Sequence, residues 1–270
     1  MLDLALAVSD RPARPDQYRF VDTHAWWLGT FGPHQHLTEH RLRMWVPRRS
    51  DREWLLVREL TGAQRWLTGS AEAARADGFD LRDVAPVGRF AARHGQFDTG
   101  SPADDLDLDP EPEARCVSAD AVPRGSWKAP TPEFFARLPV DPQRLLAMLL
   151  EDNPGAWFGP FAAAVTALRT GLVPAPLRGA LYKVVTGLPD VRVGRAANLD
   201  GQECLALVHD AGRTRTELMV DPADGQFAGE RDTLRTVSRC GLPAGTVIST
   251  TAVRTAVVDG PGLRPEASTG

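Results

Sequence analysis

The chain has 270 residues, of which 43% are hydrophobic and 24% charged, and its formal net charge is −4. This composition is typical of a globular protein that can bury a full core. No apolar run is long enough to span a bilayer, no basic stripe indicates nucleic-acid binding, and three cysteines without a CxxC pair exclude a zinc ribbon.

Residues 1–17 form a lead-in that is rich in turn-forming residues. Its opening MLDLALAV lacks the basic leader and the cleavage site of a signal peptide. We therefore expect a cytoplasmic protein if Met1 is the native start, and an extracytoplasmic one if an upstream anchor has been removed.

Strand-like segments with hairpin punctuation follow the lead-in. They cover about 18–28, 41–47, 53–60 and 64–68, and the connections contain Gly32-Pro33, 47–51 and Thr61-Gly62. Residues 69–126 then lose sustained periodicity, and seven acidic residues lie between 98 and 113 with no lysine or arginine among them. We read 69–126 as a long loop excursion with one short helix.

The middle of the chain predicts four helices. The first two each begin with a capping side chain followed by proline, at 131–132 and 141–142. The third covers about 158–170, and the fourth begins at Pro174 or Pro176. The apolar stripe of the second helix consists of Leu145, Leu146, Leu149 and Leu150. Each amphipathic helix needs a sheet or another helix to cover its apolar side.

Strands return in the last third of the chain. They cover about 190–197, 203–209, 214–220, 226–235 and 246–258. Turn signals occur at Asp200-Gly201 and at 221–225, and 259–270 is predicted to be a disordered tail. The order of strands, helices and strands predicts an α+β fold with one domain over 18–258: a curved antiparallel sheet, or half-open β-barrel, wrapped round a few helices.

Four stretches carry a family resemblance: RPDQYRFVDTHAWWL, GSWKAPTPEFFARLPVDPQRLLAML, PAPLRGALYKVVTGLPDV and RTELMVDPADGQFAGE. Together they resemble an actinobacterial family of membrane-anchored proteins often encoded beside extracytoplasmic-function sigma factors, over about residues 10–258. The resemblance implies a LolA/RseB-like domain, the lipoprotein-carrier type of half-barrel with helices on its concave side. This chain starts after the position of the family's membrane anchor.

The segment YRFVDTHAWW alternates like a strand. Side chains of a strand point alternately to its two faces, so Tyr18, Phe20, Asp22, His24 and Trp26 share one face. Asp22 and His24 could serve as an acid/base pair lining a cavity. The alternative is a structural pair that hydrogen-bonds its neighbours.

Seven tryptophans occur, five of them in the first predicted strands. Aromatic rings on a curled sheet can line an apolar cavity, and they can equally form the packed core. The candidate ligand-binding residues are Tyr18, Phe20, Trp26, Trp45, Trp54, Trp66, Arg215 and Glu217. The last two share one predicted strand face, and the alternative for them is a cross-strand ion pair.

His36 to His40 match H-x-x-E-H, which binds zinc when it lies on a helix. The neighbouring Gly32-Pro33 and the strand-like residues after His40 predict a hairpin loop instead, so we assign no metal. An acidic run at 105–109 imitates a calcium loop, but Pro110 and Cys116 replace the required glycine and glutamate. No GxSxG, P-loop or GxGxxG motif is present, and no cofactor is assigned.

The sequence therefore predicts non-catalytic binding of an apolar or amphipathic small molecule or lipid between sheet and helices, as a carrier or envelope sensor. The alternative is a cofactor-independent isomerase or cyclase that acts on an apolar metabolite with Asp22 and His24. A zinc peptidase is a weaker third hypothesis. A regulatory protein partner that contacts residues 98–113 also stays open.

Overall fold

The structure is a computed structural model that describes residues 7–97, 124–153 and 159–265. Within these ranges it contains nine strands and five α-helices. The strands are β1 Tyr18–Phe31, β2 His34–Pro47, β3 Glu53–Thr68, β4 Gly88–Arg93, β5 Val191–Ala197, β6 Glu203–Ala211, β7 Thr214–Val220, β8 Phe227–Leu234 and β9 Val247–Val258. The helices are α1 Ala71–Ala76, α2 Pro132–Phe135, α3 Pro142–Asp152, α4 Pro160–Arg169 and α5 Ala175–Thr186.

All nine strands belong to one antiparallel sheet in the order β4-β3-β2-β1-β9-β8-β7-β6-β5. β1 pairs with both β2 and β9, so the first and last strands of the chain are neighbours in the middle of the sheet. β4 and β5 are the two edges, and the described strands do not close into a barrel. The coarse prediction of an α+β fold with an antiparallel sheet is confirmed.

Two predictions about β2 and β3 are wrong. Residues 34–40, expected to form a hairpin loop, are the first half of β2. Thr61-Gly62, expected to form a turn, lies inside β3, where a bulge shifts the register between Thr38 and His40. His34, His36, Thr38 and His40 alternate as strand residues do, but their polarity hides the pattern that apolar residues would show.

The helices follow the predicted start signals. The side chain of Thr131 accepts a hydrogen bond from the amide of Phe134, and that of Asp141 accepts one from the amide of Arg144. Only part of the predicted leucine stripe of α3 is buried. Leu145 and Leu149 are fully buried, whereas Leu150 is 53% exposed.

α4 and α5 lie against one face of the sheet, and α3 packs on both helices. We call this side of the sheet the helix face and the opposite side the outer face. The main core joins strand residues of the helix face with the helices, and it includes Val21, Leu207, Leu218, Val253, Leu168 and Leu181. The chain therefore has two layers across most of β5–β9 and β1.

The buried guanidinium of Arg178 in α5 fastens the lead-in to this core. Its Nε donates to the carbonyl of Gly225 at 2.7 Å, and its Nη1 donates to the carbonyl of Val173 at 2.7 Å. It also donates to the carbonyl of Ser9 at 2.8 Å and to the carboxylate of Asp10 at 3.0 Å. A buried charge with this many acceptors is well compensated.

The predicted tail begins with an ordered contact, because Trp45 Nε1 donates to the carbonyl of Leu263 at 2.6 Å. Residues 266–270, the acidic stretch 98–113 and Cys116 lie outside the described residues. In the described ranges, no helix combines the length and the apolar character that a membrane crossing requires.

Leu149 and Leu150 offer a matched test of how α3 packs. Leu149→Ala should lower the free energy of unfolding by about 2–5 kcal/mol, because it leaves a cavity in the core. Leu150→Ala, on the exposed side of the same turn, should change it by less than about 0.5 kcal/mol. Urea denaturation of both variants measures the difference, and equal losses would contradict the orientation of α3.

Candidate functional site

His24 lies on the outer face, where two carboxylates hold its ring. Its Nδ1 lies 2.6 Å from Asp200, and its Nε2 lies 2.6 Å from Glu39. Thr61 also donates to Glu39 at 2.5 Å. Both nitrogens of the imidazole are thus engaged, which leaves neither of them to accept a proton from a substrate. Asp200 reaches His24 from the turn between β5 and β6.

Asp22 is surrounded by arginines on the same face. Burial raises the pKa of its carboxyl group, and the guanidinium groups of Arg41, Arg43 and Arg254 act in the opposite direction. Arg254 also lies 3.4 Å from Asp200. Asp22 and His24 therefore belong to one network of ionisable groups on the outer face, away from the helices.

The predicted lining aromatics divide between the two faces of the sheet. Tyr18, Phe20 and Trp45 form a buried cluster with Leu55 and Val258 on the outer face. The ring of Trp26, on that same face of β1, carries the guanidinium of Arg65 at 4.2 Å.

Trp54 and Trp66 lie on the helix face. Trp54 alternates with the outer-face residue Leu55, and Trp66 packs its ring against His36 at 4.8 Å. The structure therefore does not bring the predicted aromatic residues together round one cavity.

Arg215 and Glu217 lie on one face of β7, and each pairs with a different neighbour. Arg215 donates to Asp210 at 2.6 Å in β6, and Glu217 accepts from Arg231 at 3.2 Å in β8. Both are cross-strand ion pairs: that of Arg215 is exposed and contributes little to stability, and that of Glu217 is partly buried.

A cavity of about 680 Å³ lies on the helix face between α4 and the strands β6, β7 and β8. Phe161, Ala162 and Val165 of α4 form its apolar wall. His209, Thr216 and Asp232 form the opposite wall together with other strand residues. These three are aligned across neighbouring strands, since Thr216 is the pairing partner of both His209 and Asp232.

Two carboxyl groups of β8, one of them in this wall, are difficult to ionise. Burial raises the pKa of Asp232, although Thr216 donates a hydrogen bond to it at 2.6 Å. Burial also raises the pKa of Glu230, although Arg169 Nη2 lies 2.8 Å from its carboxylate. Two buried carboxyl groups thus share one guanidinium, which compensates for only one negative charge.

The pKa of His209 is shifted in the opposite direction. Its ring stacks on Phe161 with centroids 4.2 Å apart, and burial lowers the pKa of the imidazole. A neutral imidazole therefore faces the same cavity as a carboxyl group of raised pKa. Two strand spacings separate the backbones of His209 and Asp232 by about 10 Å, and Thr216 lies between them in the same row.

Sequence reasoning missed His209 and Asp232. The available signal was a polar residue on the same strand face as buried apolar residues. His209 follows Leu207 on one face of β6, and Asp232 follows the buried first half of β8. Their common register could not be predicted, because it depends on pairing between strands.

The strand geometry excludes shared zinc binding by His36 and His40. Both lie on the helix face of β2, but four residues of strand place their backbones about 13 Å apart. In the described part of the chain, no group of three or more metal-binding side chains is close enough to hold an ion. Neither a protein-family model nor a curated protein matches the chain.

His24 should be important for stability. His24→Ala would leave Glu39 and Asp200 without their shared partner, so the free energy of unfolding should fall by about 3 kcal/mol. Asp51→Ala, which breaks the exposed ion pair between Arg49 and Asp51, should have no measurable effect. Urea denaturation measures the free energy of unfolding of both variants. If His24→Ala also left it unchanged, the structural role of His24 would be contradicted.

Asp232 should make stability depend on pH. Its pKa in the folded chain is raised, so its contribution is fully present below the unfolded pKa and is lost as pH rises through the folded pKa. Asp232→Asn should therefore gain stability relative to the parent as the pH rises from 4 to about 8.

Asp80→Asn is the control, because hydrogen bonding to Arg82 lowers the pKa of Asp80 to about 2. This variant should show no relative gain at higher pH. Denaturation curves across the pH range measure both variants. A relative stability of Asp232→Asn that is flat or falls with pH would mean that burial does not control this carboxyl group.

Proposed function

We propose that the protein binds an apolar or amphipathic small molecule or lipid in the cavity beneath α4, as a carrier or sensor. The cavity itself carries this proposal. Its volume of about 680 Å³ lies in the range of about 300–1,000 Å³ that ligand pockets occupy. An apolar wall with a few polar groups on the opposite side is the usual composition of such pockets.

The charges around the cavity favour a ligand whose polar end, beside Arg169, His209 and Asp232, carries no net charge. Arg169 is already paired with Glu230, and His209 is held neutral by its burial. Burial raises the pKa of Asp232, so a second negative charge beside it would be unfavourable. A hydroxyl, carbonyl or amide group on an otherwise apolar molecule fits these partners.

We also propose that this chain is a LolA/RseB-like domain of the sigma-factor-associated family. An open antiparallel sheet with helices on one face supports it, together with the four resembling stretches. The corresponding location is extracytoplasmic. A regulatory protein partner belongs to the same proposal, and a nucleic-acid partner does not.

A second candidate function is a cofactor-independent isomerase or cyclase in the same cavity. The opposite pKa shifts of His209 and Asp232 favour it, since such pairs supply a base and an acid at neutral pH. His209 would accept a proton from the substrate, and Asp232 would donate one to it. The proposed acid and base are therefore these two residues in place of Asp22 and His24.

Filling the cavity tests the binding proposal. Ala162→Phe places a ring among the lining residues, so it should weaken binding of the uncharged fluorescent probe N-phenyl-1-naphthylamine by at least about tenfold. Ala147→Phe, at an exposed position of α3, should bind like the parent. Fluorescence titration measures both. A parent protein that binds no probe, or an Ala162→Phe variant that binds it equally well, would contradict the proposal.

Exchange of carbon-bound hydrogen tests the enzyme candidate. In D₂O the parent should accelerate exchange at the carbon next to the carbonyl of α-tetralone, and His209→Gln should lose most of this acceleration while it still binds the naphthylamine probe. Proton NMR follows the exchange. Acceleration that His209→Gln retains in full would reject the role of His209 as base.

A further inference from the structure

The helix face of β2 and β3 holds an unusual set of polar atoms. Nine buried side-chain nitrogen or oxygen atoms of the described residues have no hydrogen-bond partner, and seven of these lie on these two strands and face the helix side. They belong to His34, His36, Thr38, His40, Arg58 and Gln64. More than about nine in ten buried polar atoms in proteins are hydrogen-bonded, so this concentration indicates a partner that the described residues do not supply.

Four of these residues lie close together in the pairing of the strands. Thr38 is the pairing partner of Gln64, and the next position of β2 on the same face is His40. Arg58 pairs with Leu42, one further step along that face. Thr38 is 0% and His40 3% exposed, so neither side chain reaches bulk water. We call Thr38, His40, Arg58 and Gln64 the β2–β3 cluster.

No carboxylate of the described residues is hydrogen-bonded to the β2–β3 cluster. Arg58 Nε and Gln64 Nε2 are hydrogen-bond donors, and the Thr38 hydroxyl and His40 Nδ1 can donate as well. Desolvation lowers the pKa of Arg58, and no carboxylate in the described ranges counteracts this shift. This differs from Arg178, whose buried guanidinium donates to Asp10 and several carbonyls. An anionic group would satisfy the cluster and pair with the charge of Arg58.

An apolar groove of about 580 Å³ adjoins the cluster at the edge of β3. Leu60, Leu81 and Val87 line it together with Arg58, and Leu60 is the pairing partner of His40. The groove and the cluster therefore share Arg58. An apolar chain in this groove would place its end beside the guanidinium.

We propose that the β2–β3 cluster binds the carboxylate of an amphipathic acid, whose apolar chain lies in the adjoining groove. Arg58 and Gln64 donate to the carboxylate, and Thr38 and His40 complete its hydrogen bonds. This site is separate from the cavity beneath α4 and does not rest on the function proposed for that cavity.

Titration calorimetry with three probes tests the site. Decanoate should bind to the parent at least about tenfold more tightly than decanol, which lacks the charge, and than acetate, which lacks the chain. Arg58→Gln should weaken decanoate binding by at least about tenfold. Arg65→Gln removes the same charge from the outer face of β3 and should bind decanoate like the parent. Equal binding of decanol, or undiminished binding by Arg58→Gln, would overturn the proposal.

Two further readouts separate this site from structural effects and from the α4 cavity. Arg58→Gln should keep at least the thermal stability of the parent, because it removes a partly buried charge whose Nε has no partner among the described residues; a large loss would mean that Arg58 has a structural partner. Ala162→Phe should bind decanoate normally. Loss of decanoate binding in Ala162→Phe, with retention in Arg58→Gln, would assign the acid to the α4 cavity and reject the β2–β3 site.

Discussion

The structure depends on a mismatch between the width of the sheet and the helices that cover it. Nine strands at a spacing of about 4.8 Å extend about 38 Å from the first axis to the last. Two packed helices, α4 and α5, cover about 20 Å of that width. They are placed over β5–β9 and β1, where Val21, Leu207 and Leu218 supply the apolar side of the interface. Other segments cover part of the remaining helix face, where Phe79 packs against His36 and Trp66.

One candidate site lies beneath α4 itself, and the β2–β3 cluster lies on the two strands that follow β1 in the sheet. The cavity beneath α4 is bounded by the row of His209, Thr216 and Asp232, and pairing continues this row through Ser249, Trp27 and Thr38 to Gln64. One row of side chains thus runs across seven strands and connects the cavity with the β2–β3 cluster. A packed core favours apolar side chains at such positions, so polar ones there point to binding rather than to stability.

Local signals predicted much of the fold. The caps at Thr131 and Asp141 and the turn at 221–225 depend on a few adjacent residues, and the structure contains the helices and hairpin that they predict. The first half of β2 was missed because its alternating buried residues are polar. The faces of the predicted site could not be assigned, because alternation relates Asp22, His24 and Trp26 to one another but does not say which face the helices cover. The pairing of β1 with β9, and hence the row across the sheet, depends on contacts between distant segments.

Crystals soaked with 1-bromonaphthalene test most directly whether the helices leave room for a guest. The bromine provides an anomalous signal that locates the molecule without reference to any biological ligand. We expect a bromine peak between α4 and the strands β6–β8, in contact with the ring of Phe161. Protein side chains that fill this space, with no bromine peak beside Phe161, would contradict the account.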